Sequence, residues 1–145
     1  MNEWIDWFQR VLDVSIRLYF RQECDLSSVY DIPLPKAGPL WKALLPEQVD
    51  PTFDEWMVLM LALMPHLSPQ MLDILFVHNK NFDRPYTEFG GWKGLSHGGF
   101  LPTGETAVFL LAGDRVERRL EVVRLFREEH WFHMYHVVGL EGAGN

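Results

Sequence analysis

Basic residues and cysteine are both scarce in this chain. Lys and Arg together number 13 against 20 Asp and Glu, so the 145 residues carry a formal net charge of −7. This balance argues against a nucleic-acid-binding surface, because neutralising phosphates requires clustered Lys and Arg. Cys24 is the only cysteine, which rules out an intramolecular disulfide or a cysteine-based zinc site. A single thiol fits a reducing compartment, and we expect a cytoplasmic protein.

The sequence also lacks the pattern of a membrane span and that of a signal peptide. The most apolar run, Trp56 to Met64, is followed by Pro65 and is far shorter than the ~20 residues that a span needs. The N-terminal MNEWIDWFQR is acidic where a signal peptide is basic, and no long apolar segment follows it. We therefore expect no membrane partner.

Motifs for nucleotide binding and hydrolysis are missing as well. There is no GxxxxGK[ST] loop, and GWKG around Lys93 has neither its spacing nor its Ser or Thr. GxGxxG, GxSxG and HExxH are also absent. His130, His133 and His136 follow one another at intervals of three. With this spacing the three side chains would not lie together on one side of a helix, and they would not do so on a strand either. We expect no catalytic residue, no metal site and no cofactor, and thus a chain that is not an enzyme.

Apolar and aromatic residues are abundant instead. They make up 48% and 14% of the chain, which is ample for a sizeable core. The length fits one domain. We expect residues 1–140 to form it and the closing EGAGN, 141–145, to be a linker or tail.

The first half of the chain shows clear helix signals. Apolar residues at helical spacing predict a helix from residue 3 to about 21. Residues 24–40, with three prolines and Gly38, predict an extended connector before a short helix over 40–45. Thr52 and Glu55 predict a capping box at the start of a buried helix from Phe53 to Met64.

Further start and stop signals follow. Ser68 and Pro69 predict a helix from Pro69 to about Val77, packed antiparallel to the preceding one across a tight turn at MPHLSP. Thr103 is expected to cap a helix that runs to Leu111 and ends at Gly113.

Two elements complete the prediction. Asp114 is expected to cap a helix with Val116, Leu120 and Val123 on one face. HWFHMYHVVGL, residues 130–140, is rich in aromatic and β-branched residues and fits a strand. The predicted fold is mainly α: a compact domain of about five helices with a small β element near the C-terminus.

A glycine-rich stretch, TEFGGWKGLSHGGFLPTGE at 87–105, holds six of the eleven glycines. It leads into a helix N-terminus, where free amides can bind an anion. The alternative, which we favour, is that the glycines permit tight turns while aromatic residues pin the loop to the core. The side chains that this loop and the adjacent Arg84 could present to a partner are Arg84, Glu88, Trp92, Lys93, His97 and Thr103.

One basic run offers an alternative nucleic-acid surface. RVERRLEVVRLFR, from Arg115 to Arg127, is the only candidate. It also contains Glu117 and Glu121, so an ordinary solvated helix face is the favoured interpretation.

The segment from His78 to Gly113 resembles the N-terminal region of AAA+ ATPases encoded with bacterial extracellular contractile injection systems. The strings that carry the resemblance are KN at 80–81, DR at 83–84, TEFGG at 87–91, HGGFLPTGET at 97–106 and FLLAG at 109–113. LALMPHLSPQMLD at 61–73 is similar to a helix pair of that family, and the downstream helix, with LF at 125–126 before a His, fits as well. The resemblance covers most of the chain.

This resemblance implies a non-catalytic accessory domain at the N-terminus of an ATPase, described in that family as a winged-helix variant. Its expected partners are its own AAA+ module and components of the injection particle, with no small ligand. The family's ATP-binding machinery follows this region, so no catalytic residue is carried over. Two alternatives remain: an anion- or nucleotide-sensing domain using loop 87–105, and a DNA-binding winged helix. The apolar and acidic TGETAVFLLAG argues against the second.

Overall fold

The computed structural model describes residues 1–76, 78–79, 84–85, 87–93, 100–127 and 129–134, with backbone alone at several positions between 76 and 101 and at 134. Within these ranges the chain is mainly helical, as predicted. The α-helices are α1 (Asn2–Tyr19), α2 (Pro39–Leu44), α3 (Phe53–Leu67), α4 (Gly104–Ala112), α5 (Val116–Val123) and α6 (Trp131–Met134). The 3-10 helices span Val29–Asp31, Pro69–Phe76, Thr87–Phe89 and Arg124–Phe126.

Among the described residues between α3 and α4 there are four short strands. β1 (His78–Asn79) pairs with β2 (Arg84–Pro85), and β3 (Trp92–Lys93) pairs with β4 (Phe100–Leu101), both antiparallel. The C-terminal strand prediction over 130–140 is wrong for its described part, since residues 131–134 form α6. The side chain of His130 accepts the Phe132 N–H at 3.0 Å and so starts a helical turn there. Residues 135–140 lie outside the described residues.

The core is built where α1, α3 and α4 meet. All side chains of α4 from Thr106 to Ala112 are buried. The Ser15 hydroxyl of α1 donates to the Leu110 carbonyl at 3.0 Å, which is the kind of partner a buried hydroxyl requires. Helix α4 is therefore the central element, and α1, α3 and α5 pack against it.

Four tryptophans join α1, α2 and α3. The Trp56 ring lies 4.2 Å from Trp4 and 4.9 Å from Trp41, and Trp7 lies 5.5 Å from Trp4, between ring centroids. Most of these contacts are edge-to-face, the arrangement that the ring quadrupoles favour. The cluster holds the short helix α2 against the rest of the domain.

Helix α3 begins as predicted and ends later. Thr52 Oγ1 accepts the Glu55 N–H, and Glu55 Oε1 accepts the Thr52 N–H, so the capping box is confirmed. The predicted end at Met64 is wrong, because α3 continues through Pro65 to Leu67. Proline lacks an amide proton and so costs this last turn one hydrogen bond, while the Ser68 N–H still donates to the Met64 carbonyl at 2.9 Å.

The predicted antiparallel packing after α3 is also wrong. The next element is a 3-10 helix that leaves α3 at a bend of 113°. Ser68, which precedes Pro69, has left the helical conformation at φ −156° and ψ 69°, and this redirects the chain at that residue. Within the described ranges no single helix is long and apolar enough to cross a membrane; these two reach that length and apolarity only together, across the bend.

The α4–α5 junction agrees with the prediction except for one residue. Thr103 precedes α4 as its N-cap, and Gly113 ends it with φ 58°, a left-handed conformation that glycine adopts without strain. The N-cap of α5 is Arg115 rather than the predicted Asp114. The Arg115 N–H donates to the Ala112 carbonyl at 3.1 Å, so the turn takes one residue more than the capping pattern indicated.

Candidate functional site

The described part of the glycine-rich stretch is held against the core. Phe89 is buried, and its ring centroid lies 4.5 Å from that of Phe109 on α4. Glu88 accepts the hydroxyl proton of Tyr19 at 3.0 Å. The Thr103 hydroxyl accepts the Gly91 N–H at 3.0 Å, so two of the six proposed interaction residues have partners within the domain.

The other four proposed residues are less fully described. Arg84 lies in β2, and Trp92 and Lys93 lie in β3. Their side chains, and all of His97, are outside the described residues. Their role as an interaction surface stays a prediction.

Gly90 closes over the start of α4. Its φ is 66°, and a Cβ atom built on it would lie 2.7 Å from Thr103 Oγ1 and 2.8 Å from the Thr106 nitrogen. The backbone at Gly90 therefore covers the amides that an anion would approach. An anion cradle at this helix N-terminus would require the loop to move, which favours the structural interpretation of this glycine.

Helix α5 presents an apolar stripe to solvent. Val116, Leu120 and Val123 do share one face, but they are 68%, 64% and 49% exposed. The side that packs inward instead carries Val122, which is fully buried. The spacing of Val116, Leu120 and Val123 can be recognised in the sequence. The exposure of the stripe follows from how the short helix packs on α4.

The arginines of α5 are largely engaged within the domain. Arg118 Nη2 lies 2.9 Å from Asp54 Oδ2, and a second nitrogen of Arg118 contacts Glu121. Arg119 donates to Glu105 at 3.1 Å and to the Gly113 carbonyl at 2.7 Å. These pairs remove two cations from the face that DNA would need, and the nearly wholly buried α4 could not serve as a recognition helix.

Tyr30, Asp54 and Arg118 form one linked group at the edge of α3. The Tyr30 hydroxyl donates to Asp54 Oδ1 at 2.5 Å, and the guanidinium of Arg118 contacts the phenol oxygen and stacks 5.0 Å from the ring centroid. Burial, followed by the hydrogen bond to Asp54, raises the pKa of Tyr30 well above its ordinary value. Partial burial acts to lower the pKa of Arg118, but the contacts with Asp54 and Tyr30 raise it overall. Tyr30 therefore stays neutral and Arg118 stays charged at physiological pH.

A second polar group joins α3 to α6. Glu55 Oε2 lies 2.5 Å from His130 Nε2 and accepts the indole N–H of Trp131 at 2.6 Å. Because His130 Nδ1 accepts the Phe132 amide, the proton lies on Nε2 and is donated to Glu55. The histidine signal in the sequence thus marks a structural contact. Among the described residues, no group of His, Cys, Asp and Glu is arranged to hold a metal ion.

Comparison with known proteins adds no identification. No protein-family model, no curated protein and no solved structure matches the chain.

Proposed function

We propose that this chain is a non-catalytic protein-interaction domain that binds an amphipathic helix of a partner protein along α5. The observation that carries the proposal is the exposed stripe of Val116, Leu120 and Val123. Single exposed apolar residues are normal on a protein surface, but three at i, i+4 and i+7 form a continuous ridge. A partner helix with its own apolar stripe would bury this ridge.

Charges beside the stripe constrain the partner. Glu117 and Arg124 are seven residues apart, so they lie two turns apart on the same side of the helix. Both are exposed, and neither side chain forms an ion pair or hydrogen bond with another described residue. The matching partner helix would carry a basic residue facing Glu117 and an acidic residue facing Arg124, which would set its orientation.

The resemblance to AAA+ ATPases of contractile injection systems supports an accessory role in the cytoplasm. We place the partner helix on a component of the injection particle, with the protein's own AAA+ module as the competing partner. Because this chain contains no phosphate loop, ATP hydrolysis would belong to another part of the parent protein. In this proposal the winged-helix variant of the family serves protein binding rather than DNA binding.

Biolayer interferometry of the purified chain against each particle component and against the AAA+ module tests the proposal. We expect one particle component to bind and the variant Leu120→Asp to lose that binding at least tenfold. Leu44→Asp is the matched control, because Leu44 on α2 is 60% exposed, close to the 64% of Leu120. Binding by the AAA+ module alone would overturn our choice of partner, and equal binding by both variants would overturn the α5 surface.

A further inference from the structure

A cavity of about 360 Å³ lies between the end of α1, the segment around Ser28 and the α4–α5 junction. Its size falls in the range of small-molecule sites, roughly 300–1,000 Å³. The charged and hydroxyl side chains that line it are those of Ser15, Arg21, Ser27, Ser28, Asp114 and Arg115, beside Tyr19. It is distinct from the α5 stripe and from the glycine-rich stretch.

The side chains of two arginines at this cavity have no partner among the described residues. Elsewhere in the described residues, ion pairs are formed by Arg10, Arg17, Arg118 and Arg119. Arg21 and Arg115 form neither an ion pair nor a side-chain hydrogen bond within the described residues, although acidic residues outnumber basic ones in the chain. Both guanidinium groups are therefore available to a ligand.

The backbone at Arg21 is strained. Its φ is 54°, and it is the one non-glycine residue in the described ranges with a positive φ. The Gln22 N–H donates to the Arg17 carbonyl and the Arg21 N–H to the Leu18 carbonyl, the Schellman pattern in which glycine usually occupies this position. Arginine occupies the position despite the strain that glycine would avoid, which a functional side chain would explain.

Hydroxyl and acceptor groups complete the cavity. Ser28 Oγ accepts the Tyr30 N–H at 3.2 Å, so its own hydroxyl proton remains available, whereas Ser27 donates to Asp31. Asp114 supplies a carboxylate that accepts hydrogen bonds. A ligand that pairs with both the arginines and the carboxylate needs an oxyanion for the two guanidinium groups and hydroxyl donors for Asp114.

We propose that this cavity binds a small phosphate monoester that carries free hydroxyl groups. Arg21 and Arg115 would hold the phosphate, whose charge of about −1.5 to −2 matches two guanidinium groups. Ser28 would donate a further hydrogen bond to it, and Asp114 would accept from the ligand's hydroxyls. The site does not depend on the proposed protein partner.

Isothermal titration with glycerol phosphate in low-salt buffer tests the site. We expect saturable binding that weakens at least tenfold in Arg21→Gly and in Arg115→Gln. Arg21→Gly should also raise the thermal midpoint by about 3 °C, because glycine suits the positive φ. Opposite changes in binding and stability would separate a functional arginine from a structural one.

Arg127→Gln is the matched control, since Arg127 is exposed, its side chain has no partner among the described residues and it does not line the cavity. It removes the same charge as Arg115→Gln and should bind as the wild type does. Absence of saturable binding by the wild type would overturn the proposal. An equal loss in Arg127→Gln would also overturn it, because net charge alone would then explain the effect.

Discussion

The carboxylate of Glu55 accepts the indole N–H of Trp131 across 76 positions of sequence, at 2.6 Å. The same carboxylate caps α3 through the Thr52 amide and contacts His130. One buried side chain therefore joins the start of α3 to the last described helix. Removing it would leave several donors without an acceptor.

We expect Glu55→Ala to lower the free energy of unfolding by about 3 kcal/mol, because the donors around a buried carboxylate lose their partner. Urea denaturation monitored by circular dichroism measures the change. Glu47→Ala is the control: Glu47 is exposed and has no described partner, so its substitution should be neutral. Equal effects of the two substitutions would contradict the structural role of Glu55.

Gly90→Ala tests whether the glycine-rich stretch is structural. The added Cβ would lie 2.7 Å from Glu105 Cβ and would require a φ of 66° in a non-glycine residue. We expect a loss of about 3 kcal/mol in the free energy of unfolding, from overpacking and backbone strain together. Gly38→Ala is the matched substitution, because nothing lies within 4 Å of its built Cβ. A Gly90→Ala protein as stable as Gly38→Ala would show that this packing does not contribute.

The orientation of α5 can be tested at two adjacent valines. Val122 is fully buried, whereas Val123 is 49% exposed. Val122→Ala should lower the free energy of unfolding by about 2 kcal/mol, through lost burial and the cavity that remains. Val123→Ala should change it by less than about 0.5 kcal/mol. The reverse order in chemical denaturation would mean that the stripe faces the core.

Tyr30 predicts how stability depends on alkaline pH. Its pKa is raised from 10.0, first by burial and then by its hydrogen bond to Asp54, so the folded state retains the phenol proton more strongly than the unfolded state. Its contribution to stability is complete below pH 10 and declines as the pH rises above that value.

Denaturation at a series of pH values from about 9 to about 11.5 measures this effect. The wild type should lose stability with pH more steeply than Tyr30→Phe, by less than ~1.4 kcal/mol per pH unit because the phenol is partly solvated. Since the other tyrosines titrate in both proteins, the difference in slope isolates Tyr30. Parallel curves would mean that Tyr30 has the same pKa in both states.

Local sequence signals predicted the positions of most helices but not the residues that each helix packs against. The Thr52–Glu55 capping box and Gly113 set real helix boundaries, because each acts within a few residues of itself. The prediction that α3 ends before Pro65 is wrong, because proline in the last turn removes only one hydrogen bond. The burial of one face of α3 outweighs that loss. The sequence could not show that Glu88 and Thr103 are engaged within the protein. Glu88 bonds to Tyr19 and Thr103 to Gly91, and neither partner is a near neighbour in sequence.

By itself, the sequence determined that this chain forms a mainly helical, aromatic-rich domain without a nucleotide-binding motif. Composition, periodicity and capping are properties of short segments, so they can be recognised without knowing the fold. Tertiary structure alone decided that Val122 rather than Leu120 is buried, that Glu55 meets Trp131, and that Arg21 and Arg115 line one cavity. These relationships depend on how α1, α3 and α5 pack around α4, and distant contacts of that kind leave no local pattern in the chain.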